Sequence, residues 1–230
     1  MQYDQTVITP KGLIVHIRNG VASDGSAVLE NFDLTHAETD YLLSYPDENH
    51  FDAEQESRYL EKKATSPNEI ELIAFVDGKV AGTAGIDAIG AQYKVAHRAE
   101  FGIGILKEYW GLGIGRALME ACIHCAKTAG YAQLELEVVA ENARAISMYQ
   151  TAGFVEYGRN PKGFRSRNAG YQELISMRLE LYSLSTKTAL LTMTAGRAVF
   201  GREVDQYEDD TRTTARRGTR GRNWFGHRKM

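Results

Sequence analysis

One feature constrains this chain more than any other: a strand that runs into a glycine loop and then a helix. Residues 98–106 read as a strand. They give way to Trp110-Gly-Leu-Gly-Ile-Gly115, and the helix that follows extends to about Ala129, where Gly130 stops it. On that strand Arg98, Glu100, Gly102 and Gly104 share one face, while Ala99, Phe101, Ile103 and Ile105 share the other. Glycine weakens a strand interior, so two on one face imply either a bulge or a ligand lying against the backbone. Gly111, Gly113 and Gly115 then gather backbone N–H groups where the helix begins. The unpaired amides and dipole of such a terminus favour a phosphate or pyrophosphate.

Two familiar phosphate loops are excluded. No Gly-Lys-Ser/Thr follows, so this is not a P-loop, and Gly115 falls one position early for Gly-x-Gly-x-x-Gly. A nicotinamide-binding unit would also place its glycines after the first strand and a ribose-binding acid about 20 residues on, where only Glu135 or Glu137 stands.

The remaining pattern is α/β. Residues 13–17 alternate as a strand and Asn19-Gly20 supplies a turn. Thr35-His-Ala-Glu38 has capping-box spacing ahead of Tyr41, Leu42 and Leu43, and Asp52-Ala-Glu-Gln55 repeats it ahead of Tyr59 and Leu60, so two helices are expected, the second ending at Ser66-Pro67. Residues 70–76 and 80–89 flank Asp77-Gly78 as a hairpin. Leu134, Leu136 and Val138 alternate with Glu135 and Glu137 as a further strand. Asn142 is placed to cap a helix over residues 143–152, and the last strands are expected near 154–157 and 171–181.

Charge divides the chain. Residues 211–230 carry seven Arg and Lys and no acid, whereas residues 1–210 hold 20 bases against 30 acids. An acidic body repels nucleic acid and attracts cationic ligands. We therefore expect one folded domain over residues 1–182 and a disordered basic tail over 183–230, whose Arg216-Arg217-Gly and Arg220-Gly-Arg222 are the only features suited to nucleic acid. No apolar run approaches the roughly 18 residues of a membrane span, and the N-terminus lacks a signal-peptide pattern, which predicts a cytoplasmic protein. Cys122 and Cys125 fall with Ile114 and Leu118 on one apolar helical stripe while His124 faces away with Glu120. Buried thiols are thus expected there, without a disulfide or a metal.

Two motifs in order resemble the GCN5-related N-acetyltransferase (GNAT) family. Trp110-Gly-Leu-Gly113-Ile-Gly115 resembles its coenzyme signature, Gln/Arg-x-x-Gly-x-Gly/Ala, with Trp110 where the family has Gln or Arg. Asn142-Ala-Arg-Ala145-Ile-Ser-Met-Tyr149, followed by Gly153-Phe154, resembles the family's Asn-x-x-Ala-x-x-x-Tyr and Gly-Phe. The resemblance spans about residues 12–181. It implies an acyl-CoA N-acyltransferase fold of α/β (α+β) type, with a mixed, splayed central sheet and helices on both faces. Acetyl-CoA would be the co-substrate, lying between the strands of Glu100 and Glu137, with the acceptor amine, a small molecule or a peptide, held by the first two helices. Coenzyme contacts are then expected from Gly111, Leu112, Gly113, Ile114, Gly115 and Arg116 through their amides, and from Asn142.

The chemistry so implied needs no metal and no acetyl-enzyme, because a thioester is already activated. A backbone N–H near Ile103 or Ile105 would stabilise the carbonyl oxygen. Tyr149, seven residues and two turns from Asn142, would protonate the departing thiolate. Glu100 is the first candidate for the base that deprotonates the amine, with Glu137 and His97 as competitors. The rival class is a coenzyme-binding sensor without turnover. A monomer or a homodimer fits either reading.

Overall fold

The computed structural model describes residues 1–181; the basic tail expected over residues 183–230 lies outside the described residues. Eight strands form one sheet in the order β1-β2-β3-β4-β5-β6-β8-β7. They are β1 (Asp4–Ile8), β2 (Ile14–Asn19), β3 (Ile70–Val76), β4 (Lys79–Ala88), β5 (Arg98–Ile105), β6 (Gln133–Val139), β7 (Val155–Ser166) and β8 (Gly170–Glu180). Every neighbouring pair is antiparallel except β5 and β6. That exception makes the sheet mixed, as expected. The β3–β4 hairpin turns at Asp77 and Gly78, both at positive φ (48° and 76°), the geometry that Asp-Gly tolerates best.

Helices cover both faces. The register Ile73↔Thr83↔Gly104, together with Asp87↔Glu100↔Glu135, puts these side chains on one face. Against that face lie α1 (Gly25–Glu38) and α2 (Ala53–Thr65), whose Val28 and Leu60 form a buried cluster with Ile73. Each such side chain contributes about 1.5–3 kcal/mol by leaving water. Lys63 of α2 is buried and ion-pairs with Asp87 at the same face. The opposite face carries α3 (Ile114–Thr128) and α4 (Ala143–Thr151). On α3 the stripe of Ile114, Leu118, Cys122 and Cys125 is buried, while Glu120 and His124 are exposed. Burial pushes both thiols above their ordinary range, so they are inert apolar filling.

Three expectations need correction. The Thr35–Glu38 box does not start a helix; it ends α1. Thr35 is buried in the last turn with its hydroxyl donating to the carbonyls of Asn31 and Phe32, and Glu38 accepts instead from the Lys107 N–H at 2.7 Å. Residues 39–45 are then irregular. At the true start, Asp24 does not cap the helix because its carboxylate is engaged by Arg18 at 2.7 and 2.9 Å. Strand β1 has no counterpart in the expected elements, and β7 extends nine residues beyond Tyr157 through two bulges. The Asp52–Gln55 box does hold: the Asp52 carboxylate accepts from Gln55 N–H and the Gln55 side chain returns the bond to Asp52 N–H.

Candidate active site

The site follows from one break in the sheet. β5 and β6 pair over Arg98↔Gln133, Ala99↔Leu134 and Glu100↔Glu135, and then diverge. A bidentate ion pair, Arg98 Nε and Nη2 to Glu135 at 2.5 and 2.7 Å, fastens them diagonally across the paired stretch, from its first residue on β5 to its last on β6. Beyond it β5 keeps its antiparallel partner β4 as far as Gly82↔Ile105. Among the described residues, no strand pairs with the β6-facing edge of Phe101 to Ile105.

Alternation along β5 says which groups face that gap. The Arg98 carbonyl accepts from Ile89 N–H and the Leu106 N–H donates to the Ala81 carbonyl, so even-numbered residues direct their backbone groups toward β4. The N–H groups of Ile103 and Ile105 therefore point into the divergence. These are the two residues for which the sequence suggested a free amide.

A cavity of about 510 Å³ occupies the gap. Its lining includes Gly111, Gly113, Gly115 and Arg116 around the start of α3, Ile103 to Ile105 of β5, Val138 of β6, Tyr149 of α4, and Thr39, Tyr41 and Leu42 after α1. Gly113 takes φ 94° and precedes α3, whose N-terminus no side chain caps. By contrast α4, whose N-terminus also borders the cavity, is capped by Asn142 Oδ1 accepting from Ala145 N–H at 3.2 Å. The open terminus at α3 is thus the one suited to an anion. The size of the cavity, the unpaired β5 edge and the uncapped α3 amides together fit a long thioester cofactor with a diphosphate at one end.

Not every expected residue reaches the cavity. Leu112 and Ile114 are absent from its lining: the Leu112 N–H is turned to the Tyr109 carbonyl at 3.4 Å, and the Ile114 side chain is fully buried under α3. Only main-chain contact remains open to Ile114. Glu137 lines the cavity, whereas Glu100, on the same face of the sheet, does not. His97 precedes β5 at the end where the strands are joined, about 26 Å from Ile105 at ~3.3 Å per residue, and the structure does not bring it to the gap.

Electrostatics distinguish the carboxylates. Burial, reinforced by the charges of Asp87, Glu137 and Glu135, raises the Glu100 carboxyl from its ordinary 4.5 to about 7. Glu135 is paired by Arg98 and Asp87 by Lys63. Tyr149 is 4% exposed and burial pushes its phenol well above the ordinary range, so it stays protonated. Its ring meets Phe101 and Phe154, which set its position between sheet and helix.

Sequence reasoning missed Tyr109, Arg144 and Met148 as cavity residues, along with the segment containing Thr39, Tyr41 and Leu42. Arg144 sits inside the Asn142–Tyr149 motif, the one available signal for it. Trp110, the departure from the signature, also lines the cavity. Its indole N–H donates to the Ile105 carbonyl at 2.7 Å, and Arg144 lies 5.3 Å from its ring.

Comparison with known proteins gives a consistent picture. The sequence model of the Acetyltransferase (GNAT) family matches residues 34–154. The chain is 32% identical over 118 residues to the L-amino acid N-acetyltransferase AaaT of Escherichia coli K12, covering 51% of this chain and 72% of that protein. A GNAT-family acetyltransferase from Streptococcus pneumoniae superposes with a TM-score of 0.69 at 30% identity, covering 72% of this chain and 99% of that one. The fold also matches yncA of Salmonella typhimurium, a structure with its cofactor acetyl-CoA, at a TM-score of 0.65 and 19% identity over 74% of this chain and 95% of that one. With its two motifs inside the matched span and its sheet opened between β5 and β6, the chain belongs to the acetyltransferase (GNAT) family.

Proposed function

We propose that this N-acetyltransferase moves the acetyl group of acetyl-CoA to a primary amine by direct attack within a ternary complex. The observation that carries the reading is the divergence of β5 from β6, with an uncapped helix terminus at one end and Tyr149 beside it. Acetyl-CoA supplies an activated thioester. The amides of Gly113 to Arg116 hold its diphosphate, and the free β5 edge takes its pantetheine arm as a strand would.

The chain's own residues then have separate tasks. Glu100, with a carboxyl near 7, removes a proton from the ammonium, through Glu137 or a water because it does not itself line the cavity. The N–H of Ile103 or Ile105 stabilises the oxyanion as the amine nitrogen bonds to the carbonyl carbon. As the C–S bond breaks, Tyr149 passes its phenolic proton to sulfur, and the proton that the new amide nitrogen gives up restores the phenol. Buried thiols at Cys122 and Cys125 suit a reducing, cytoplasmic setting.

Steady-state kinetics test this directly. Free thiol release, measured while acetyl-CoA and a primary amine are varied together, should give intersecting double-reciprocal lines, and intact mass should show no acetylated protein. Parallel lines with an acetyl-enzyme would overturn direct attack. Calorimetric binding of the coenzyme with no turnover on any amine would favour the sensor class.

A further inference from the structure

The acceptor end of the cavity is crossed by a strap. Glu38, at the end of α1, accepts from the N–H of Lys107 just beyond β5. Two residues later Asp40 accepts from the Ser166 hydroxyl, at the turn between β7 and β8, and from the Tyr45 phenol at 2.7 Å. β5 lies on one bank of the divergence, and β8, which pairs with β6, lies on the other. The chain between Glu38 and Asp40 therefore spans from bank to bank on the α1 face.

The anchorage on the far bank is multiple. The Tyr45 oxygen accepts from Arg167 N–H at 2.8 Å, the Arg167 guanidinium lies 4.2 Å over the Tyr45 ring, and it donates to Asp47 at 2.8 Å. Ser166 also accepts from the N–H groups of Asn168 and Ala169, which fixes the turn that receives the strap. The cavity wall formed by Thr39, Tyr41 and Leu42 flanks the anchor Asp40. A strap tied at Glu38, Asp40 and Tyr45 is a built closure.

Resting on the acetyl-transfer reading above, we propose that this strap restricts the acceptor to small amines and excludes the end of a polypeptide. A peptide whose terminal nitrogen reached the β5 edge from the α1 face would trail the rest of its chain through the space that the strap fills. A small amine needs no such path. The charges suit a particular probe. The cations among the described residues lining the cavity are Arg116 and Arg144, at the N-terminal ends of α3 and α4, and its carboxylates are Glu137 and Glu141. An acceptor without a carboxylate beside its amine avoids that charge, so a diamine is the natural choice.

The test compares 1,4-diaminobutane with an alanine-led neutral hexapeptide in the thiol-release assay, on the full chain and on two variants. Asp40→Ala cuts the central anchor. Tyr45→Phe removes only the hydroxyl that links Asp40 to Arg167 and keeps the ring, so one opened form remains testable if the first unfolds. The diamine should exceed the hexapeptide at least tenfold in kcat/KM with the parent, and either folded variant should narrow that ratio several-fold by raising hexapeptide turnover. Equal or better use of the hexapeptide by the parent would overturn the proposal, as would an unchanged ratio in both folded variants. Failure of both acceptors while another amine is turned over would overturn this proposal alone, and absence of turnover on any amine while acetyl-CoA still binds by calorimetry would overturn the acetyl-transfer reading.

Discussion

Tyr149 on α4 stands edge-on to Phe101 on β5, with ring centroids 6.2 Å apart and planes at 85°. Phe101 is the first β5 residue past the last pair with β6, so the contact sets the phenol at the apex of the divergence. Edge-to-face pairs add about 0.5–1.5 kcal/mol beyond the area they bury, and Phe154 supports the same ring from a second side.

Tyr149→Phe keeps both ring contacts and removes only the O–H. We expect kcat to fall about 10- to 100-fold, with the coenzyme Kd and the melting temperature nearly unchanged. Thiol release paired with calorimetry separates the two quantities. An unchanged kcat would remove Tyr149 from the proton path.

Glu100→Gln has opposite effects on turnover and stability. The parent's kcat/KM should rise with pH through an acid limb near 7, because the base must be ionised, and the variant should lose that limb together with about 10- to 100-fold of rate. For stability, the folded-state carboxyl lies above its unfolded value of 4.5, so folding takes up a proton between the two. Stability therefore falls as pH rises from about 4.5 through about 7. The variant escapes this loss and should be more stable at pH 8, by on the order of 2 kcal/mol in urea titration.

Gly113→Ala tests the loop. A Cβ there would lie 3.0 Å from Thr9 Cβ and 3.3 Å from Pro10 Cδ, on a residue held at φ 94°. The left-handed backbone alone costs about 1–2 kcal/mol. We expect a stability loss of at least that size and a coenzyme Kd raised about tenfold, since the loop cannot relax without turning the amides at the start of α3.

Arg98→Ala removes one half of the fastening between β5 and β6. Glu135, whose side chain is 11% exposed, would lose its bidentate partner, and we expect a cost of about 2 kcal/mol in the urea midpoint. Retention of full stability would mean that water and the Tyr157 hydroxyl, which already donates to Glu135 at 3.4 Å, satisfy the carboxylate without Arg98.

Most of the fold was legible because local signals and tertiary needs agreed. Asp52 and Gln55 make the reciprocal bonds their spacing predicts, and Gly130 ends α3 at positive φ. The box at Thr35 misled because its side chains serve other partners: Thr35 approaches Gly104 and Glu38 reaches Lys107, contacts no local pattern encodes. Among the described residues β1 is an exposed edge strand paired only with β2, so it carries little apolar alternation. The loop, Tyr149 and the Ile103–Ile105 edge were readable from motif and parity. The strap was not, because its anchors Asp40 and Ser166 lie 126 residues apart. Which carboxylate meets the cavity was not readable, since sequence cannot tell that Glu137 lines it while Glu100 does not.

If the coenzyme binds as proposed, the open flank of β5 also makes the substrate a temporary member of the sheet. Amide groups at Ile103 and Ile105 that would be sealed by a neighbouring strand in an ordinary sheet are here left for a ligand to seal. Occupancy and cohesion are then one equilibrium: at 100-fold its Kd, the coenzyme should add about 2.7 kcal/mol to the stability of the whole domain. Hydrogen exchange at those two amides should slow together with that gain, so the protein reports its own saturation from the middle of its core.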